Sequence, residues 1–176
     1  MTRAFFGALT TLLVAASAAP ALAYEDQVSI DAELAYVHGF AKNSQARGQN
    51  GIAVAAGASY GLSNVLTLRG QFMWAFHPSE GPLRSIAWLS ADLVYVIDVL
   101  EIVPYFGAGV DGAGLIASGA DFEAEFGVHP VIGFDYLLSR ALAIGVQVKP
   151  VFVLTSLDDM PVYLQAGITL SYLLDP

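Results

Sequence analysis

Four acidic residues, Asp111, Asp121, Glu123 and Glu125, lie close together in the chain. Carboxylates at that density suit a hard divalent cation such as calcium, which takes several oxygen ligands. Their spacing follows no EF-hand or repeat pattern, so a cation site stands beside the commoner outcome of solvated acids. The three histidines, His38, His77 and His129, are dispersed. No second histidine shares a face with His129, so a zinc site is not expected and His129 reads as a hydrogen-bonded interior residue. His77-Pro78-Ser79 puts an imidazole and a hydroxyl two residues apart, with adjacent Glu80 as the acid at hand. The run His-Pro-Ser-Glu-Gly-Pro is equally good turn chemistry, and no catalysis is expected of it. Finally, Asp31, Glu33 and Asp92 are available to meet Arg69 and Lys149 as ion pairs.

The elements that position these residues alternate with period two. Leu66, Leu68, Gly70, Phe72, Trp74 and Phe76 interleave with Thr67, Arg69, Gln71, Met73 and Ala75. Successive strand residues point to opposite faces, so the segment has an apolar face and a polar one. Ile30 to Tyr36, Phe122 to Tyr136 and Leu164 to Tyr172 repeat the pattern. The alternation predicts eight strands, at 28–38, 51–61, 65–76, 86–97, 103–113, 122–136, 141–153 and 161–173. Trp88, Val94 and Val96 share a face with Ser90 and Asp92, so the fourth is less clean than the others. Pro104, Pro130 and Pro150 fall inside these spans and should mark strand ends or bulges. Connectors alternate between tight turns and longer loops, which puts all tight turns and both termini at one end. The acidic cluster would then sit at the opposite, long-loop mouth.

The chain has 176 residues, 56% hydrophobic and 13% charged, with no cysteine and a net charge of −9. An ordinary soluble domain is nearer a quarter charged. The acidity argues against a nucleic-acid partner. Met1-Thr2-Arg3, an apolar run from Ala4 to Ala16 and the A-x-A site Ala21-Leu22-Ala23 read as a signal peptide over 1–23. Its run is short of the roughly 20 residues a spanning helix needs. Its removal leaves one domain, 24–176, one charge more negative than the whole chain. No later segment reads as a membrane helix.

Eight antiparallel strands with one apolar face make either a soluble ligand-binding barrel, apolar inside, or a membrane barrel, apolar outside. A soluble barrel needs many exposed Lys and Glu residues, yet beyond residue 23 the only lysines are Lys42 and Lys149. The polar faces are mostly Ala, Gly, Ser, Thr and Gln, which suit a crowded lumen, and the strands match the roughly 9–11 residues that cross a bilayer. Aromatics group at both ends: Tyr36, Trp74, Phe76 and Trp88 near the long loops, and Tyr60, Tyr95, Tyr136 and Tyr172 near the tight turns. Such girdles belong at membrane interfaces.

Val103-Pro104-Tyr105-Phe106-Gly107-Ala108-Gly109-Val110 and the run Gly133 to Ala143 look like hairpin strands of outer-membrane barrels. On these residues the chain resembles the small eight-stranded family of the OmpA transmembrane domain and OmpX. The resemblance implies an all-β, up-and-down transmembrane barrel in the outer membrane. It also implies lipid as the surrounding partner and barrel-assembly machinery as a partner in biogenesis. The last strand carries an alternating apolar set ending in Tyr172; Leu-Leu-Asp-Pro follows it, where family members usually end on the aromatic. The expected role is a monomeric structural or interaction protein without cofactor or catalysis. Its polar, plugged lumen would hold a network of Asp31, Glu33, Arg69, Asp92, Lys149 and His129. Two alternatives stand beside it. One is a narrow cation-preferring channel, given the excess of acids. The other is a lipid A-modifying enzyme, since deacylases of this architecture carry a His-x-Ser pair, though in later strands than His77-Pro78-Ser79.

Overall fold

A computed structural model describes residues 25–40, 49–78, 84–97, 101–116, 123–155 and 161–174. Segment 1–23, the site of the expected signal peptide, lies outside these, as do Ser79, Glu80 and Asp121.

The alternating segments form β1 (Val28–Phe40), β2 (Gln49–Gly61), β3 (Leu66–His77), β4 (Arg84–Val96), β5 (Ile102–Ile116), β6 (Glu123–Leu137), β7 (Leu142–Val153) and β8 (Val162–Leu174). Each expected boundary falls within three residues of the observed one. Every strand pairs antiparallel with its sequence neighbour, and β1 pairs with β8 from Val28↔Leu174 to Phe40↔Val162. The result is a closed, all-β, up-and-down barrel. Closure leaves no edge of unpaired backbone groups, the condition for crossing hydrocarbon with strands.

Two tight turns use the same chemistry. Ser63 Oγ accepts from the Val65 and Leu66 N–H groups, and Ser139 Oγ accepts from the Ala141 N–H. Leu62 N–H donates to the Leu66 carbonyl at 2.8 Å and Leu138 N–H to the Leu142 carbonyl at 2.9 Å, closing each turn. A serine hydroxyl that accepts local N–H groups offers the backbone a turn in place of the ladder.

The apolar face points outward. Leu34, Val54, Phe72, Leu89, Val110, Phe126, Ile132 and Ile168 are all exposed, whereas the alternate positions are covered. A continuous exposed band of this kind has no place in water and fits a lipid surround. Aromatics ring it at both ends. Tyr36, Phe40, Trp74 and Phe76 lie toward the long loops, and Tyr60, Tyr95, Tyr136 and Tyr172 lie toward the tight turns. Two of the latter tie their hydroxyls to acids there, Tyr60 to Asp26 at 2.5 Å and Tyr136 to Glu101 at 3.0 Å.

Trp88 departs from the expected girdle. It is buried inside the barrel against Tyr163, with ring centroids 5.3 Å apart. The fourth strand explains this, because its inward face is Ile86, Trp88, Ser90, Asp92, Val94 and Val96, apolar at both ends around a polar middle. The prolines depart as well. Pro104 lies two residues into β5, but Pro130 and Pro150 sit mid-strand with the register unchanged on either side, so neither ends a strand or makes a bulge.

Candidate functional site

The lumen is a polar space that the described residues form around charged side chains, and it divides into three tiers. Toward the long loops it is apolar: Ala35, Val37, Ala53, Met73, Ala75, Ile86, Trp88, Ala113, Val151, Val153 and Tyr163 pack as one buried cluster. His77 is buried here too, its Nε2 3.1 Å from the Tyr163 hydroxyl and its ring edge-on to Tyr163. The lumen expected to be polar is therefore apolar at this end. The outer ends of β1, β3, β4 and β7 carry apolar residues on both faces, and the inward ones meet.

The middle tier is a charged belt. Lys149 Nζ lies 3.0 Å from Asp92 Oδ2 and 2.9 Å from Gln71 Oε1. His129 stands between two acids, Nδ1 at 2.5 Å from Asp111 Oδ2 and Nε2 at 3.0 Å from Asp92 Oδ1. Glu33 accepts from three glutamine amides, Gln71 at 2.6 Å, Gln147 at 2.7 Å and Gln165 at 2.9 Å. Buried charge is tolerated only when paired or richly hydrogen-bonded, and each of these acids meets that condition.

Small residues make the belt possible. A Cβ on Gly109 would come within 2.5 Å of Asp92 Oδ1 and 2.7 Å of His129 Cε1. One on Gly167 would collide with the Glu33 carboxylate. These glycines are the space in which a neighbouring strand's long side chain lies.

The third tier opens toward the tight turns. Arg69 lies over the Tyr105 ring, 4.2 Å from its centroid, with Nη2 3.6 Å from Asp135 Oδ2. Tyr105 donates to Gln147 at 3.3 Å and so joins this tier to the belt. Asp31 accepts from Ser29 at 3.1 Å and faces the same vestibule as Arg69 and Asp135.

Of the expected network, Asp92, Lys149 and His129 come together directly. Glu33 reaches them through Gln71, and Arg69 pairs with Asp135 where Asp31, Glu33 or Asp92 was expected. Gln71, Gln147, Gln165, Tyr105 and Asp135 were not anticipated as partners, although Gln71, Gln165 and Asp135 stand on the polar faces of their strands. Of the acidic cluster, Asp111 turns into the lumen to His129, and Glu125 accepts from the Thr155 hydroxyl at 2.6 Å. Asp121 and the Glu123 side chain lie outside the described residues. Among the described residues no group of three or more acids or histidines is arranged to hold a metal ion.

No protein-family model matches the chain, and no curated protein matches its sequence. Solved structures do resemble it in fold. Neisserial surface protein A superposes with a TM-score of 0.66 at 15% identity, over 82% of this chain and 96% of that one. The outer membrane protein OprG from Pseudomonas aeruginosa gives a TM-score of 0.60 at 12% identity, over 86% of this chain and 97% of that one. The outer membrane enzyme PagL gives 0.50 at 14% identity, over 80% of this chain and 98% of that one. The fold is that of the small eight-stranded outer-membrane barrels.

Proposed function

We propose that this chain is an integral outer-membrane protein with a structural or interaction role and a closed lumen, and that it performs no catalysis. The observation that carries this reading is the lumen itself. An apolar plug around Trp88 and Tyr163 sits above a belt whose charges are paired with one another or held by glutamine amides. Both fill the small space that eight strands enclose.

Lipid surrounds the exposed apolar band, and the chain is monomeric. Segment 1–23 is its signal peptide and 24–176 its barrel domain. The last strand, with outward Tyr172, is what assembly machinery engages in biogenesis. The fold alone does not decide on catalysis, since PagL is an enzyme with this architecture. Against a nucleophile–base pair at His77-Pro78-Ser79 stands the burial of the His77 ring in the apolar tier beside Tyr163. Against a cation-preferring channel stands the same tier, whose described inward side chains are mostly apolar and poor at replacing an ion's hydration shell.

Planar-bilayer recording tests the reading. With insertion confirmed by protease protection, the protein is expected to give no conductance steps at high concentration. Reproducible cation-selective steps would overturn the closed lumen.

A further inference from the structure

Two prolines face each other across β6 and β7. The pairing runs through Gly127↔Val153 and Val128↔Phe152, then resumes at Ile132↔Val148. With the register unchanged, Pro130 stands opposite Pro150. Antiparallel pairs alternate between those that exchange two hydrogen bonds and those that exchange none. The phase here is fixed at both ends, because Leu154 N–H donates to the Phe126 carbonyl and Leu138 N–H to the Leu142 carbonyl. By that alternation the Pro130–Pro150 pair should exchange two bonds. Neither residue has an N–H, so it exchanges none. The gap falls at the middle of the Glu123–Leu137 strand, the depth at which water is least available to replace a lost bond.

The residue before each proline points into the lumen, and both reach the same side chain. His129 of β6 lies 3.0 Å from one oxygen of Asp92, and Lys149 of β7 lies 3.0 Å from the other. Asp92 is on β4, so the bridge is made from across the barrel. His129 is also held by Asp111 and Lys149 by Gln71, but neither of those contacts links β6 to β7. The cavity beneath is lined by Lys149, Asp92, Gln147 and Arg69 and continues toward the tight-turn mouth.

We propose that the β6–β7 seam is a lateral gate at mid-membrane depth, latched from inside by Asp92. Two missing backbone bonds weaken this ladder at its middle, and the carboxylate holds its two sides together. Opening would connect the lumen beside Lys149 to the bilayer interior. The eight-stranded closure elsewhere is unaffected.

Residue-resolved amide hydrogen exchange on the full chain in lipid bilayers tests this. The amides of Val128, Ile132, Val148 and Phe152 should exchange about tenfold faster than paired amides at matching depth in β2–β3, as expected of a locally opening unit. Asp92→Asn should accelerate those four by about another tenfold and leave β2–β3 unchanged. Pro130→Val with Pro150→Val should slow them and remove the effect of Asp92→Asn. Equal exchange at both seams in the unmodified protein would overturn the gate. Equal acceleration of every ladder by Asp92→Asn would overturn the latch. If Asp92→Asn does not fold, the proline pair decides alone, and unchanged exchange there refutes the proposal.

Discussion

Gly133 and Gly112 differ in the direction a side chain would take. A Cβ on Gly133 would lie 2.5 Å from the Tyr105 ring and 2.5 Å from the Val146 carbonyl, whereas one on outward Gly112 meets nothing within 4 Å. Gly133→Ala must therefore displace Tyr105, which lies under Arg69 and bonds Gln147. We expect it to cost about 1–3 kcal/mol, in the range of overpacked cores. Gly112→Ala should stay within about 0.5 kcal/mol, as surface changes do. Urea unfolding in lipid vesicles measures both, and equal costs would contradict the packing described. At this scale the sequence shows which residues enter the lumen, because parity alone puts Asp31, Glu33, Arg69, Asp92, His129 and Lys149 on polar faces. It does not show who meets whom. Lys149 joins Asp92 and not Glu33 because barrel closure sets which side chains approach across the lumen. Three glutamines already satisfy Glu33.

The strand is the scale at which facing direction becomes a matter of free energy. Ile132 is 64% exposed in the middle of β6, on the face opposite His129 and Val131. In water an arginine there would be tolerated as a surface residue. In lipid it should cost about 2–4 kcal/mol, the depth-dependent penalty for a charge near the bilayer midplane of a barrel. Ile132→Arg, unfolded reversibly from bilayers, is expected to show that loss, and a neutral effect would place this face in water. Period two made the strands legible to within three residues at either end. Pro130 and Pro150 depart from the expected strand ends or bulges, since the pattern of one strand holds no information about its partner. Only the β6–β7 register shows that Pro130 and Pro150 share a single gap, with pairing present at Val128↔Phe152 on one side and Ile132↔Val148 on the other.

At the scale of the whole molecule, closure and the outward apolar band follow from the same alternation repeated around eight strands, and both were readable in the chain. The apolar outer tier of the lumen was not. Ile86, Trp88, Val151, Val153 and Tyr163 come from strands far apart in sequence, and their convergence depends on the stagger of a closed barrel. The two tryptophans report on this directly, since Trp74 is half-buried on the outward face of β3 and Trp88 is buried in the lumen. Brominated acyl chains quench an indole that they touch. In bilayers of brominated lipid, the Trp88→Phe protein, which keeps only Trp74, should lose most of its fluorescence. The Trp74→Phe protein, which keeps only Trp88, should lose little. Quenching of Trp88 with Trp74 spared would mean that the barrel is turned the other way out.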